Sequence, residues 1–268
     1  DGINKVSVLS QEGEYLTGWP LRTGYSTNQG FHLMPDGRVE NPTLPGRLVR
    51  YDLDGTPRDT VPVPSHGYVP PRIEYVTEGG SGTYGVPFMP AETWTRTMDG
   101  DLAFARTDRY AIDVQRPQGG MLRIERVAEP APVAEAEREQ AREQIVRSIR
   151  NQAGAGWEWD GPGVPRTKPF FWGILPGIDG TLWVMRRTPA VERENPAYDP
   201  SQPQQGFPTR WVEPMVADVF DEDGEYIGAV RFPEQLQLHV TPVLTRDAVV
   251  AAVMTDEVLP QVVRFRLE

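Results

Sequence analysis

The chain of 268 residues contains no cysteine, three histidines and no long apolar run, and each shortage narrows its possible structures. Without cysteine it has no disulfide and no zinc or iron–sulfur site that depends on thiolate ligands. The longest unbroken apolar stretch, residues 248–254, is far shorter than the ~20 residues that a membrane-spanning helix requires. The sequence therefore predicts no segment that crosses a membrane.

Basic residues are in deficit as well. The chain has 27 lysines and arginines against 38 aspartates and glutamates, which gives a formal net charge of −11. An acidic protein repels a phosphate backbone. We therefore expect no nucleic-acid partner.

The common motifs of catalysis are missing too. No HExxH, Gly-x-Ser-x-Gly, GxGxxG or Walker pattern occurs. His32, His66 and His239 stand alone, without the spacing of a metal site. We therefore predict no catalytic residue, no metal and no cofactor. His66 is the histidine to test first because it lies in a predicted loop, where functional residues are common.

What the chain does contain is a repeated β-hairpin. In residues 218–233, the turn Asp221-Glu-Asp-Gly224 separates two apolar strands, and Gly224 suits the left-handed position of such a turn. Further hairpins of this design are predicted at 4–16, 48–57, 110–124 and 249–266, with turn glycines at 13, 55 and 120 in the first three. Glycines 13 and 55 are 42 residues apart, a period typical of four-stranded propeller blades.

Asp-Gly turns at 36–37, 99–100 and 179–180 indicate an additional strand pair in each repeat. Strands at 215–220 and 226–230 are apolar or aromatic on both faces. Because a propeller blade lies between two neighbours, we expect both strands to be buried on both sides.

Two proline-rich stretches interrupt the repeats. Seven prolines lie in 57–90 and six in 189–214, and since proline cannot donate to a strand ladder, we predict long loops or extended segments there. Residues 131–152 form the one predicted helix, with early glutamates and late arginines that suit the helix dipole. Its narrow apolar stripe indicates packing on the rim of the fold or contact with a partner.

The Asp-Gly turn, the strand Leu182-Trp-Val184 and the hairpin at 218–230 together resemble the blades of bacterial six-bladed β-propellers of the NHL and TolB-like kind. The resemblance is clearest over 1–55, 94–127 and 170–268. It implies an all-β, six-bladed propeller with the helix at about 131–152 as an insertion. Five repeats are visible, and the sixth is expected near 57–90 or upstream of the chain.

The same resemblance implies one propeller domain over residues 1–268, with proline-rich insertions at 57–90 and 189–214. Propellers of this group include binding modules, scaffolds, hydrolases and lyases. The lack of catalytic groups favours a non-catalytic interaction or scaffold protein. The alternative is a ligand-binding or hydrolase/lyase-type propeller with its site in the central channel.

A second resemblance, to membrane-extrinsic subunits of bacterial photosynthetic reaction centre–light-harvesting complexes, implies protein partners in a membrane complex. It also implies an extracytoplasmic, periplasmic location. Because the chain begins at Asp1 within a predicted repeat, and not at a methionine, we expect an N-terminal segment to have been cleaved, trimmed or left unseen. In that setting the protein is peripheral to the membrane, which it does not span, and it stabilises the larger assembly.

Aromatic residues in irregular segments are the candidate partner contacts. Residues 156–172 combine three tryptophans and two phenylalanines with several glycines and prolines. Such aromatics either plug the core or form a recognition surface, because tryptophan and tyrosine supply large contact areas. Trp183 is assigned to the core. The candidate partner-binding residues are His66, Tyr68, Trp157, Trp159, Phe170, Phe171, Trp172 and Trp211.

Overall fold

A computed structural model describes residues 5–10, 12–20, 32–34, 36–43, 46–202, 206–233, 236, 240–254 and 259–267. Its strands are β1 (Lys5–Leu9), β2 (Tyr15–Pro20), β3 (His32–Leu33), β4 (Val39–Thr43), β5 (Arg47–Tyr51), β6 (Pro57–Pro62), β7 (Arg72–Thr77), β8 (Gly80–Gly85), β9 (Glu92–Arg96), β10 (Leu102–Arg106), β11 (Ala111–Gln115), β12 (Met121–Glu125), β13 (Phe171–Pro176), β14 (Leu182–Arg186), β15 (Val191–Glu194), β16 (Thr209–Val212), β17 (Val216–Phe220), β18 (Tyr226–Arg231), β19 (Val243–Thr245), β20 (Ala248–Met254) and β21 (Pro260–Arg266). The helix α1 spans Glu135–Ala153.

Neighbouring strands pair in chain order, as in the blades of a propeller. Sheet 1 is β3-β4-β5-β6, sheet 2 is β9-β10-β11-β12, sheet 3 is β13-β14-β17-β18, and sheet 4 is β19-β20-β21. The pairs β1–β2, β7–β8 and β15–β16 form separate two-stranded hairpins. Antiparallel neighbours joined by short turns are the arrangement that closely spaced hairpin signals predict.

The five predicted hairpins all form, as β1–β2, β5–β6, β11–β12, β17–β18 and β20–β21. Gly13, Gly55 and Gly224 have φ values of +86°, +84° and +82°, and the N–H of each donates to the carbonyl three residues earlier. In the β11–β12 turn, the N–H of Gly119 makes this bond. The turn glycine predicted there, Gly120, is therefore one residue too late in the sequence.

The three strands of sheet 4 correspond to the first three strands of the other sheets. The backbone N–H of Arg246, in the β19–β20 turn, donates to Oδ2 of Asp179, in the β13–β14 turn, over 2.6 Å. The turn between the first two strands of sheet 3 therefore meets the turn between the first two strands of sheet 4. Consequently β20 and β21 correspond to the second and third strands of the other sheets. The hairpin predicted at 249–266 had been matched to β17–β18, the third and fourth strands of sheet 3, which is one strand too late.

Consecutive sheets stack face to face around apolar clusters. One cluster joins sheets 2 and 3 and includes Ile112 and Phe171, and another joins sheets 3 and 4 and includes Trp183 and Leu244. Trp183 is fully buried, which confirms its assignment to the core. Strand β17 is buried along its whole length as predicted, whereas β18 is mostly exposed because it is the outermost strand of its sheet.

The all-β propeller with one helix is confirmed, but the predicted six blades are not found among the described residues. The described residues form four sheets of three or four strands, and the remaining strands are in two-stranded hairpins. The stretch 57–90, offered as the place of a sixth blade, holds β6 and the hairpin β7–β8. This hairpin packs against α1 instead of joining the stack. The single-domain organisation of residues 1–268 stays a prediction.

The proline-rich stretches, which were predicted as long loops or extended segments, contain several strands. Prolines 57 and 62 lie in β6, an edge strand, where a missing backbone donor is tolerated. The strands of the hairpins β7–β8 and β15–β16 also fall within these stretches and contain no proline, whereas the loop that joins β15 to β16 contains four. We call α1 together with these two hairpins the inserted layer. The helix lies on the rim, which agrees with its narrow apolar stripe.

Contacts on both sides of α1 hold the inserted layer together. On one side, Ile149 of the helix is fully buried against Ile73 of β7. On the other side, the side-chain amide of Gln140 donates to the backbone carbonyl of Thr209 over 2.8 Å, and Nε1 of Trp211 donates to Oε1 of Gln140 over 3.1 Å. The three insertions therefore form one connected structure.

A buried lysine joins the inserted layer to sheet 3. Lys168 is almost fully buried, and its Nζ lies 2.7 Å from Oε1 of Glu137 in α1 and 3.1 Å from Oε1 of Glu213. It also donates to the backbone carbonyl of Thr188 over 3.1 Å. Since Lys168 and Glu137 are both removed from water, each depends on the other for charge compensation.

We expect the substitution Lys168→Met to lower the free energy of unfolding by about 3–5 kcal/mol, because it leaves Glu137 buried without its cation. Urea denaturation measures the loss. The double variant Lys168→Met/Glu137→Leu removes both charges, and we expect it to recover a large part of the stability. A free energy of unfolding for Lys168→Met within about 1 kcal/mol of the parent's would contradict this interpretation.

Candidate functional site

One carboxylate organises the loop that carries His66. Glu92, at the start of β9, accepts hydrogen bonds from Oγ of Ser65 (2.5 Å) and from the backbone N–H groups of His66 (2.7 Å) and Tyr68 (3.1 Å). Burial opposes ionisation of Glu92, but these hydrogen bonds outweigh it and lower the pKa of the carboxyl group. The loop is thus held against sheet 2 by an ionised side chain.

His66 itself is bound to a second carboxylate. Its Nε2 lies 3.0 Å from Oδ2 of Asp113 in β11, and its ring packs on Phe104 with 5.2 Å between the ring centroids. Ser65 and His66 are therefore directed to different acidic residues, Glu92 and Asp113. This is not the arrangement of a nucleophile beside its base, which needs a hydrogen bond between the two side chains. Among the described residues, no group of three or more metal-ligating side chains occurs.

The junction between sheets 1 and 2 contains a fully buried glutamate. Glu40 of β4 accepts bonds from Nε (2.7 Å) and Nη2 (2.6 Å) of Arg96 in β9, and from Nε of Arg50 in β5 (2.8 Å). Burial raises the pKa of Glu40, but the bonds from both arginines exceed this effect and lower it overall. The paired charges fix the position of one sheet against the other.

A half-buried histidine lies at the same junction. The ring of His32 in β3 is 6.2 Å from that of Trp94 in β9, and His32 pairs across the strands with Glu40. Burial lowers the pKa of His32 to about 4, against the attraction of Glu40 and with a smaller contribution from Arg96. Its buried Nε2 has no hydrogen-bond partner within the described part of the chain. His32 is therefore neutral at pH 7.

Four of the predicted partner-contact aromatics pack against apolar clusters, and of these Phe171 is fully buried and the others half-buried. Phe171 is fully buried between sheets 2 and 3, and Phe170 packs against the same cluster. Trp157 and Trp159 pack against the apolar cluster around Ile149 of α1. For Phe171 the structure favours the core-plug interpretation, whereas a partner contact by Phe170, Trp157 and Trp159 stays a prediction.

The other predicted contacts are distributed over separate surfaces. Trp172 is exposed at a bulge in β13, where the pairing with β14 shifts register. Trp211 is half-buried on β16, beside α1, and Tyr68 is half-buried beneath Arg106, whose guanidinium carbon is 5.3 Å from the ring centroid. The structure brings His66 and Tyr68 together in one loop, and Trp157, Trp159 and Trp211 together in or beside the inserted layer. His239 lies outside the described residues.

Sequence reasoning missed the buried ions. Asp218, in the middle of the fully buried β17, accepts a 2.7 Å bond from the hydroxyl of Tyr110 and pairs with Arg126 over 2.5 Å. Burial and the bond to Asp218 raise the pKa of Tyr110 far above its usual range. A charged residue inside an apolar strand is the signal that marks such a position, because an unpaired buried charge is very costly.

The neutral state of His32 predicts a pH-dependent stability. Between pH 6.5 and about 4 the unfolded chain binds a proton at this histidine and the folded protein does not. The free energy of unfolding should therefore fall by about 3 kcal/mol as the pH is lowered through this range. Urea denaturation at pH 7, 6 and 5 measures the slope, which His32→Gln should flatten.

Leu33→Gln is the matched control, because it places the same side chain at an exposed position of the same strand. It should keep the parent's slope between pH 6.5 and 5. A parent protein with constant stability over this range would show that His32 is not held in its neutral form.

Comparisons with known proteins identify no family for the chain. No family model matches, and no curated protein matches. Among solved structures, a DUF4221 member from Bacteroides vulgatus has a TM-score of 0.43 at 8% identity, covering 98% of this chain and 86% of its own. Virginiamycin B lyase from Staphylococcus aureus has a TM-score of 0.33 at 14% identity, with coverage of 99% and 79%. The Swd1 propeller domain of Myceliophteria thermophila has a TM-score of 0.33 at 8% identity, with coverage of 98% and 91%. At these scores the fold assignment depends on the sheet arrangement itself.

Proposed function

We propose that the protein is a non-catalytic interaction protein whose stacked sheets form a rigid body and whose inserted layer contacts a protein partner. The observation that carries this proposal is the mutual packing of the three insertions. Oε1 of Gln152 in α1 accepts a 2.7 Å bond from the hydroxyl of Tyr75 in β7, and on the other side Arg147 lies 4.2 Å from the ring of Phe207. A surface that is already ordered binds with a smaller loss of conformational entropy.

The inserted layer and the segment that precedes it expose apolar side chains next to polar ones. Val76 on β7 is 75% exposed and Val69, just before β7, is 81% exposed. The outward side of α1 is polar, with Glu139 and Arg142 exposed. Apolar contacts within a polar surround are typical of surfaces that bind other proteins. Among the described residues no third strand pairs with the hairpin β7–β8, so its edges also offer backbone groups.

The His66 loop supports the non-catalytic part of the proposal. Ser65 and His66 are the residues of this loop that catalysis would use, and each is bound to a different carboxylate that holds the loop in place. Their hydrogen bonds give them a role in positioning the loop. A hydrolase would instead bring a nucleophile and its base together in an open pocket.

The partner we propose is a subunit of a membrane protein complex, with this chain held at an extracytoplasmic surface. The resemblance of the repeats to extrinsic subunits of photosynthetic reaction centre–light-harvesting complexes is what suggests this setting. In the part of the chain that the structure describes, no helix has the length and apolar character to pass through a bilayer. Attachment through a partner is therefore the form of membrane association that we propose.

The proposal predicts that charges placed on the exposed valines abolish partner binding. The tagged chain is extracted from its native source in mild detergent, and co-migrating proteins are quantified by mass spectrometry. We expect integral membrane proteins to co-migrate with the parent, and the variant Val69→Asp/Val76→Asp to lose them by about tenfold or more, because a carboxylate cannot be buried in an apolar contact without a large cost.

The control is Val262→Asp on β21, which is 79% exposed and lies outside the inserted layer. It should retain the partner, and all variants should melt at the parent's temperature. A parent that migrates alone as a 30.0 kDa species overturns the proposal, as does equal loss of the partner in the control.

A further inference from the structure

The junction between sheets 1 and 2 is built differently from the other junctions. Sheets 2 and 3, and sheets 3 and 4, meet through continuous clusters of buried apolar side chains. Sheets 1 and 2 meet instead through the buried ion pair of Glu40 and Arg96. Buried ion pairs add little stability compared with apolar packing, so their presence at this junction calls for another explanation.

Two adjoining cavities lie within this junction. The first, of about 470 Å³, is bordered by the His66 loop and lined by Val63, Trp94 and Phe104. The second, of about 370 Å³, is lined by Arg50, Arg96 and Arg116. Pro64 lines both cavities, so they meet at this residue. We call the two cavities together the inter-sheet cleft, and its volume is in the range of small-molecule sites.

The two ends of the inter-sheet cleft have different chemistry. At the first end, the rings of Trp94, Phe104 and His66 provide flat apolar walls. At the second end, Arg50 and Arg116 line the cavity with side chains that are 25% and 29% exposed. Arginine binds carboxylate, sulfonate and phosphate groups through parallel N–H bonds and stacks on aromatic rings.

We propose that the inter-sheet cleft binds an organic anion with a planar apolar body. The planar part lies between the aromatic walls at the His66 end, and the anionic group is bound by Arg50 and Arg116. Both guanidinium groups are already oriented, because Arg50 donates to the buried Glu40 and Arg116 pairs with Asp101 over 2.5 Å. This site is separate from the inserted layer, and its test uses the purified protein alone.

One carboxylate competes with the proposed ligand. Asp59 of β6 lies 3.3 Å from Nη1 of Arg50 and is 52% exposed, which makes it the weakest of the ion pairs made by Arg50. An exposed pair of this kind contributes little to stability. An incoming anion therefore replaces Asp59 at small cost, and removal of the Asp59 charge should strengthen ligand binding.

The probe is naphthalene-1-sulfonate, which carries an anionic group on a planar apolar body, and its binding is measured by isothermal titration calorimetry. We expect saturable binding at one site. Naphthalene-1-sulfonamide, which lacks the charge, and inorganic sulfate, which lacks the apolar body, should each bind at least about tenfold more weakly.

Two variants test the cleft with opposite expected signs. Arg116→Gln should weaken binding of the sulfonate by about tenfold, through loss of a charged hydrogen bond. Asp59→Asn should strengthen it several-fold. The controls are Arg187→Gln, whose arginine is also ion-paired and 25% exposed, and Asp199→Asn, an exposed carboxylate in the loop between β15 and β16. Both controls should bind like the parent, and melting curves show that each variant is folded.

The proposal is overturned by absence of saturable binding to the folded parent protein. It is also overturned if the sulfonamide binds as tightly as the sulfonate, or if Arg116→Gln and Arg187→Gln lower the affinity equally. Partner binding through the inserted layer is read by co-migration, so either proposal can fail without the other.

Discussion

Buried charges that must be paired across different elements hold this protein in register. Glu40 joins sheet 1 to Arg96 of sheet 2, Asp218 joins sheet 3 to Tyr110 beside β11, and Lys168 joins sheet 3 to Glu137 of the inserted layer. An apolar contact tolerates small displacements, whereas a buried ion that loses its partner costs several kcal/mol. Each of these junctions is therefore restricted to one arrangement.

This restriction explains how a chain with long insertions presents defined surfaces. The sheets supply rigid edges, and the insertions are fastened to them by specific pairs instead of general apolar packing. The outward side of α1 remains polar because its few apolar residues, such as Ile149, are used against β7. The surface that we propose for a partner lies on the hairpins beside the helix and on the segment before β7. The inter-sheet cleft, in contrast, exists because charges replace apolar packing between sheets 1 and 2.

The hairpins were predictable because their information is local. In the hairpins β1–β2, β5–β6, β11–β12 and β17–β18, a glycine such as Gly224, with a φ of +82°, ends the turn and sets the register of the strands on both sides. The helix was predictable for the same reason, from the order of its charges and the proline before it. The proline-rich stretches were predicted only as long loops or extended segments, because the effect of proline depends on strand position. In β6 the prolines occupy an edge strand, which a linear sequence does not mark.

The sequence by itself determined five hairpins with their turns, the helix and the all-β class, since these follow from spacing and from residues a few positions apart. Tertiary structure alone decided how many sheets form and which faces meet. It also decided whether an aromatic such as Phe171 enters the core or, like Trp172, remains exposed. Only the fold brings Glu40 to Arg96, 56 positions away, and Tyr110 to Asp218, 108 positions away. Such pairs depend on the stacking of sheets, and no local pattern specifies the distance in sequence at which a buried charge finds its partner.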